Sequence, residues 1–179
     1  MQGTLLYALG HYMQKTFGSP VWQQVLKEAG APGSGYLPTR DYPGSSPAAL
    51  AEAATRVTGI PAAQVLDGFG RFAIPMLLRM YGAALDPRWK TLDVLERTET
   101  LMHGTVRQRT PSAHPPRLGI RRPSADEVVI AYTSPRRLCA LGVGLIHGIA
   151  QTRGEVVTVE HRRCLHRGDS CCELHVRVS

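Results

Sequence analysis

Two groups of residues have types and spacing suited to chemistry. The first is Cys139, His161, Cys164 and Cys172. Two residues separate His161 from Cys164, and seven separate Cys164 from Cys172. This arrangement puts soft ligands around a turn between two strands, with Cys139 reaching in from a preceding helix. Thiolates plus an imidazole suit a closed tetrahedral zinc site. Cys171 competes with Cys172. Alternation along a strand favours Cys172, which shares a face with Leu174, Val176 and Val178, whereas Cys171 shares one with Glu173, His175 and Arg177. The same residues also read as buried cysteines beside a surface histidine, and spacing alone does not separate the two.

The second group is Tyr132, Ser134 and Arg136, which alternate where a strand gives way to a helix. Three hydrogen-bonding groups converge there, and helix amide dipoles favour an anion, so the set suits a carboxylate or phosphate. A serine N-cap beside an exposed arginine is the plainer reading. His103 is a lone histidine on a partly apolar helix. That pattern fits a packed core residue as well as a metal ligand.

Periodicity predicts the elements that must position these groups. Leu5, Leu9, Tyr12 and Met13 recur at helical spacing over 3–17. Ser19-Pro20 reads as an N-cap with proline at the first helical position, opening a helix with Val21, Trp22, Val25 and Leu26 that ends at Gly30. Residues 31–47 are rich in Gly, Pro and Ser and read as a loop. Ser46-Pro47 caps a helix to about Thr58, and another runs from Pro61 to about Met80 with a kink at Pro75. Asp86-Pro87 opens a helical stretch to about Arg109, with Leu92, Leu95, Met102 and Val106 on its buried face, and Thr110-Pro111 ends it. Strands follow around Leu118–Ile120 and Val128–Tyr132, then a helix from Arg136 to about Arg153, then strands at Glu155–His161 and Cys172–Val178. The prediction is an α+β chain: a helical part over about 1–110, then a sheet-containing part over about 111–179 with β-β-α-β-β order and a four-stranded antiparallel sheet.

A chain of 179 residues with 43% hydrophobic content fits one globular domain. No apolar run approaches the ~20 residues needed to span a bilayer. No basic segment precedes the first apolar residues, which argues against a secretion signal and for a cytoplasmic protein with reduced or metal-bound cysteines. The net charge of +7 permits acidic partners. The Lys and Arg are scattered, however, and no helix-turn-helix or zinc-finger signature is present, so no nucleic acid is expected. No glycine-rich phosphate loop or nucleophile–base pairing supports an enzyme.

A resemblance covers nearly the whole chain. Gly3-Thr4-Leu5-Leu6, Phe17-Gly18, Val21-Trp22 and Ala29-Gly30, then Leu101-Met102-His103 and Val106, Pro111, Pro115-Pro116-Arg117-Leu118 and the Tyr132/Ser134/Arg136 set resemble H-NOX domains, haem proteins that bind nitric oxide or oxygen. The resemblance implies that haem b lies between the helical and sheet-containing parts. It implies His103 as proximal ligand, Tyr132, Ser134 and Arg136 as the clamp on the haem propionates, and Pro116 as the residue that presses on the porphyrin. Cys139, His161, Cys164 and Cys172 resemble the zinc site of some bacterial members, with Cys171 as substitute for Cys172.

Oxygen-binding members place a hydrogen-bond donor on the distal side, and that position falls at Leu141 here. Supporting positions fall at Leu9 and Ala73. The resemblance thus implies an apolar distal wall of Leu5, Leu9, Ala73, Leu77, Leu141 and Leu145. The expectation is a bacterial stand-alone sensor of NO, with CO as a second ligand, in which NO loosens the iron–His103 bond. The effector would be a separate histidine kinase or cyclic-di-GMP enzyme. The alternative is a zinc-thiolate redox sensor in which haem is secondary or absent.

Overall fold

The computed structural model describes residues 2–40, 42, 46–109 and 114–179. The helical part comprises α1 (Gln2–Phe17), α2 (Ser19–Glu28), α3 (Pro47–Thr58) and α4 (Ala62–Met80), then α5 (Thr91–Arg97), a π-helical turn (Thr98–His103) and α6 (Gly104–Arg109). The second part comprises β1 (Arg117–Arg121), β2 (Glu127–Thr133), α7 (Cys139–Arg153), β3 (Val157–Arg163) and β4 (Cys172–Val178). The strands lie in the order β1-β2-β4-β3, with every neighbouring pair antiparallel. This is the predicted α+β architecture, with a β-β-α-β-β order along the chain and a four-stranded antiparallel sheet. No helix among the described residues is long and apolar enough to cross a membrane.

Each N-terminal helix presents one apolar stripe, and burying the stripes together forms the first core. Leu6, Leu9 and Met13, Trp22, Val25 and Leu26, Leu50 and Ala54, and Val65, Phe69 and Ala73 meet in it. The second core lies between the sheet and the helices above it. Val128, Ile130, Leu174 and Val176 of the sheet pack there with Ile74, Leu92, Val94, Leu95, Ile146 and Ile149. Helix α7 serves both cores, because Leu141 faces the first and Ile146 and Ile149 the second. Its backbone runs very close to α4: a Cβ at Gly144 would sit 2.1 Å from the Asp67 carbonyl oxygen, and one at Gly148 would sit 2.7 Å from Ile74 Cγ1. Only glycine permits that approach.

Local chemistry sets several boundaries. Ser46 Oγ accepts from Ala49 N to start α3, and Gly59, at φ 76°, ends it. Four expectations need correction. Gly18, at φ 89°, is the N-cap of α2 instead of Ser19, because glycine accepts a backbone angle that serine resists. The helix expected from Asp86 begins at Thr91. Asp86 instead folds back on Arg88, and Asp93 accepts from Lys90 N at the true start. The helix expected from Arg136 begins at Cys139, since Arg137 has φ 49° and interrupts it. The strand expected at Glu155–His161 runs over Val157–Arg163, because the Glu155 carboxylate turns to accept from Thr91 N. The expected break at Thr110-Pro111 lies outside the described residues.

Candidate functional site

The candidate metal-binding set assembles from three elements and a turn. Cys139 opens α7, His161 lies on β3, Cys164 begins the following turn and Cys172 opens β4. Their donor atoms all lie within 4.8 Å of one another. Cys139 Sγ and Cys164 Sγ are 3.9 Å apart. A disulfide would need about 2.05 Å. Two thiolates on a tetrahedral zinc, each at about 2.3 Å, would stand roughly 3.8 Å apart.

The electrostatics fit the same reading. His161 Nε2 is buried without a hydrogen-bond partner among the described residues. Burial pushes the His161 pKa down, with the charges of Arg167 and His166 adding to it. A neutral ring with an unpartnered nitrogen can offer its lone pair. Burial, then the neighbouring Cys172 and Cys164, push the Cys139 thiol up to about 12, and burial also raises Cys172. Cys139 and Cys172 stay protonated in such surroundings unless a cation supplies the compensating charge, as a soft divalent metal would. Leu165 N donates to Cys172 Sγ at 3.3 Å, and Cys164 N donates to Asp169 Oδ2 at 2.7 Å, which fixes the turn. Cys172 is fully buried on the inner face with Leu174 and Val176, as strand alternation predicts, and Cys171 is outside the cluster.

Tyr132 packs on the cysteine cluster and faces Cys172 across the β2–β4 ladder. Its phenol oxygen accepts from Leu138 N at 3.0 Å, and Ser134 Oγ accepts from Arg136 N at 3.2 Å. Burial raises the Tyr132 pKa, against the hydrogen bonds of Ser134 and Leu138, so the phenol keeps its proton for donation. Ser134 is buried and Arg136 exposed. The Arg136 guanidinium has no partner among the described residues, which leaves its charge available to a carboxylate. The helix dipole expected here is displaced, because α7 begins three residues beyond Arg136.

His103 ends the π-helical turn. Such turns are uncommon and recur at functional sites. Its Nδ1 lies 3.1 Å from Glu99 Oε2, and its Nε2 has no partner among the described residues. Burial pushes the His103 pKa below its usual value, against the hydrogen bond and charge of Glu99. The imidazole is therefore neutral, as a metal ligand requires. Sequence reasoning missed Glu99. A glutamate four residues before the histidine on a helix was the available signal.

Direct contacts tie these groups together. Glu99 Oε2 also accepts from Leu118 N at 3.1 Å, and Leu118 faces Tyr132 across the β1–β2 ladder. Leu138, which binds Tyr132, is buried in the first core with Leu9, Ala73 and Leu141. Leu5, Leu77 and Leu145 pack against the same core. Tyr7 is exposed and edge-on to His11. Pro116 is half-buried directly before β1. A neutral imidazole with a free nitrogen, hydroxyl donors beside an unpaired arginine, and an apolar wall are the parts a haem needs, so the residues present fit that group.

The fold matches several solved structures. An H-NOX protein from Shewanella oneidensis in the Fe(II)NO ligation state is 22% identical over 100% of this chain and 99% of that one, with TM-score 0.88. The unliganded Fe(II) H-NOX protein from K. algicida is 15% identical over 100% and 97%, with TM-score 0.85. An oxygen-binding H-NOX domain related to soluble guanylate cyclases is 20% identical over 100% and 95%, with TM-score 0.81. No curated protein matches in sequence. The family described as haem-NO-binding matches residues 2–161. With that match across most of its length and the H-NOX fold around His103, the chain belongs to the haem-NO-binding, or H-NOX, family of haem-based gas sensors.

Proposed function

We propose that the protein is a nitric-oxide sensor, with CO as a second ligand, that signals to a separate effector protein. His103 carries this reading: a neutral, half-buried imidazole with a free Nε2, on a helix bonded to the strand that pairs with Tyr132. Haem b, when bound, would supply a ferrous iron that takes a diatomic gas. His103 holds that iron through Nε2. Arg136 binds a propionate by a charge-assisted bond, and Tyr132 and Ser134 add neutral ones. Pro116 bears on the porphyrin. Leu5, Leu9, Ala73, Leu77, Leu141 and Leu145 line the gas side and keep water out. None of them can donate a hydrogen bond, so the wall favours NO and CO and disfavours oxygen. No residue is assigned a catalytic role. The effector is a histidine kinase or a cyclic-di-GMP enzyme, met in the cytoplasm.

The test is the absorption spectrum of the reduced protein under NO, under CO and in air. A stable oxygen complex would overturn the NO-selective reading. His103→Gly should lose the Soret band or make it depend on added imidazole, and an unchanged spectrum would remove His103 from the iron.

A second site supports a second reading. Zinc held by Cys139, His161, Cys164 and Cys172 satisfies the unpartnered His161 Nε2 and the clustered thiols. It braces the sheet in a haem sensor, or is itself a redox sensor if haem is absent. Metal analysis beside the visible spectrum separates the two.

A further inference from the structure

Glu99 and His103 stand four residues apart, which places them on one face of the helical turn. Their side chains are only 24% and 19% exposed, so this is not a screened surface pair. One carboxylate meets three nitrogens. Oε2 takes His103 Nδ1 and the Leu118 amide, each at 3.1 Å, and Oε1 takes the Arg107 guanidinium. The Arg107 guanidinium donates to one oxygen and the Leu118 amide to the other, so the carboxylate faces His103 as an acceptor. The single proton of the neutral His103 ring must therefore sit on Nδ1, which leaves the lone pair on Nε2.

The Leu118 amide makes the arrangement rigid. β1 is an edge of the sheet, and this amide is bonded to Glu99. The carboxylate is thereby fixed to a strand and not only to its own turn. A histidine held this way has one tautomer, one ring orientation and a more basic ligating nitrogen.

We propose that Glu99 is the positioning residue of the His103 ligand: its carboxylate fixes the Nδ1–H tautomer, presents Nε2 to the haem iron and strengthens the iron–imidazole bond. The proposal rests on the haem reading above and sets how readily a gas releases His103. A carboxylate at this position would make the bond firmer than a neutral partner would.

The experiment is resonance Raman spectroscopy of the iron–imidazole stretch in the ferrous protein, for the native chain, Glu99→Gln and Thr100→Val. Thr100 is an exposed neighbour in the same turn whose hydroxyl donates to Arg97 O, so its variant controls for disturbance of the turn. The stretch should move to lower frequency in Glu99→Gln and stay in place in Thr100→Val. Haem loss from Glu99→Gln should quicken by about 10- to 100-fold. NMR of the native ferrous–CO protein reads the tautomer without any variant, and His103 should show an Nδ1 proton protected from exchange. A ring without that proton, or equal stretches in native and Glu99→Gln proteins, overturns the proposal alone. A native protein that takes up no haem, or keeps it unchanged in His103→Gly, overturns the haem reading and this proposal with it.

Discussion

Replacing Gly144 by alanine places a methyl carbon 2.1 Å from the Asp67 carbonyl oxygen and 2.7 Å from its carbon. Both are backbone atoms of α4, so no side chain can rotate away. Ordinary contact starts near 3.4 Å, so the helices would have to separate by about 1.3 Å. Overpacking of this kind costs about 1–3 kcal/mol, and a backbone clash belongs at the upper end. Alanine recovers about 1 kcal/mol through helix propensity. The net loss is about 2 kcal/mol, or a fall in Tm of roughly 4–8 °C for a chain of this size. Gly142 lies on the same helix, and a Cβ there would meet nothing within 4 Å. Gly142→Ala keeps the propensity gain alone and should raise Tm by roughly 2–4 °C. Thermal and urea unfolding of both variants measure the difference. Equal effects at the two positions would refute the close approach of α4 and α7. The outcome bears on function, because α4 carries Ala73 and Leu77 and α7 carries Leu141 and Leu145.

Cys164→Ser should remove zinc from the purified protein and lower its stability, since a structural metal contributes folding free energy directly. A full zinc content by metal analysis would exclude the site, and zinc loss in Cys171→Ser but not Cys172→Ser would reassign the fourth ligand. Arg136→Ala should speed haem loss by about one to two orders of magnitude, from the roughly 1.5–3 kcal/mol of a hydrogen bond to a charged group. Arg137→Ala should change it little, and transfer of haem to an acceptor protein compares the two. Leu141→Tyr should begin to stabilise oxygen in air, and a spectrum identical to that of the native protein would show that this position does not face the gas.

Much was legible in the sequence because it depends on local periodicity and side-chain chemistry. The apolar positions of α1 and α2, the alternation of Val128, Ile130 and Tyr132, and the parity that selects Cys172 over Cys171 follow from helical and strand repeats. The capping of α3 by Ser46 and its end at Gly59 are local as well. His103, Tyr132, Ser134 and Arg136 were marked by a resemblance, since a lone histidine and an alternating trio have plainer meanings on their own. The tertiary structure decided what depends on contacts between distant segments. The π-helical turn ending at His103 departs from the 3.6-residue repeat that sequence patterns report. Glu99 gained its meaning only when β1 brought the Leu118 amide to it, nineteen residues along the chain. The start of α7 at Cys139 was set by Leu138 N binding Tyr132 and by the positive φ at Arg137, and no capping residue announced either. The unpartnered Nε2 of His161 beside three thiols is likewise a product of folding: the sequence supplies the donors, and only the packing of α7 against the β3–β4 turn closes them to within a metal's reach.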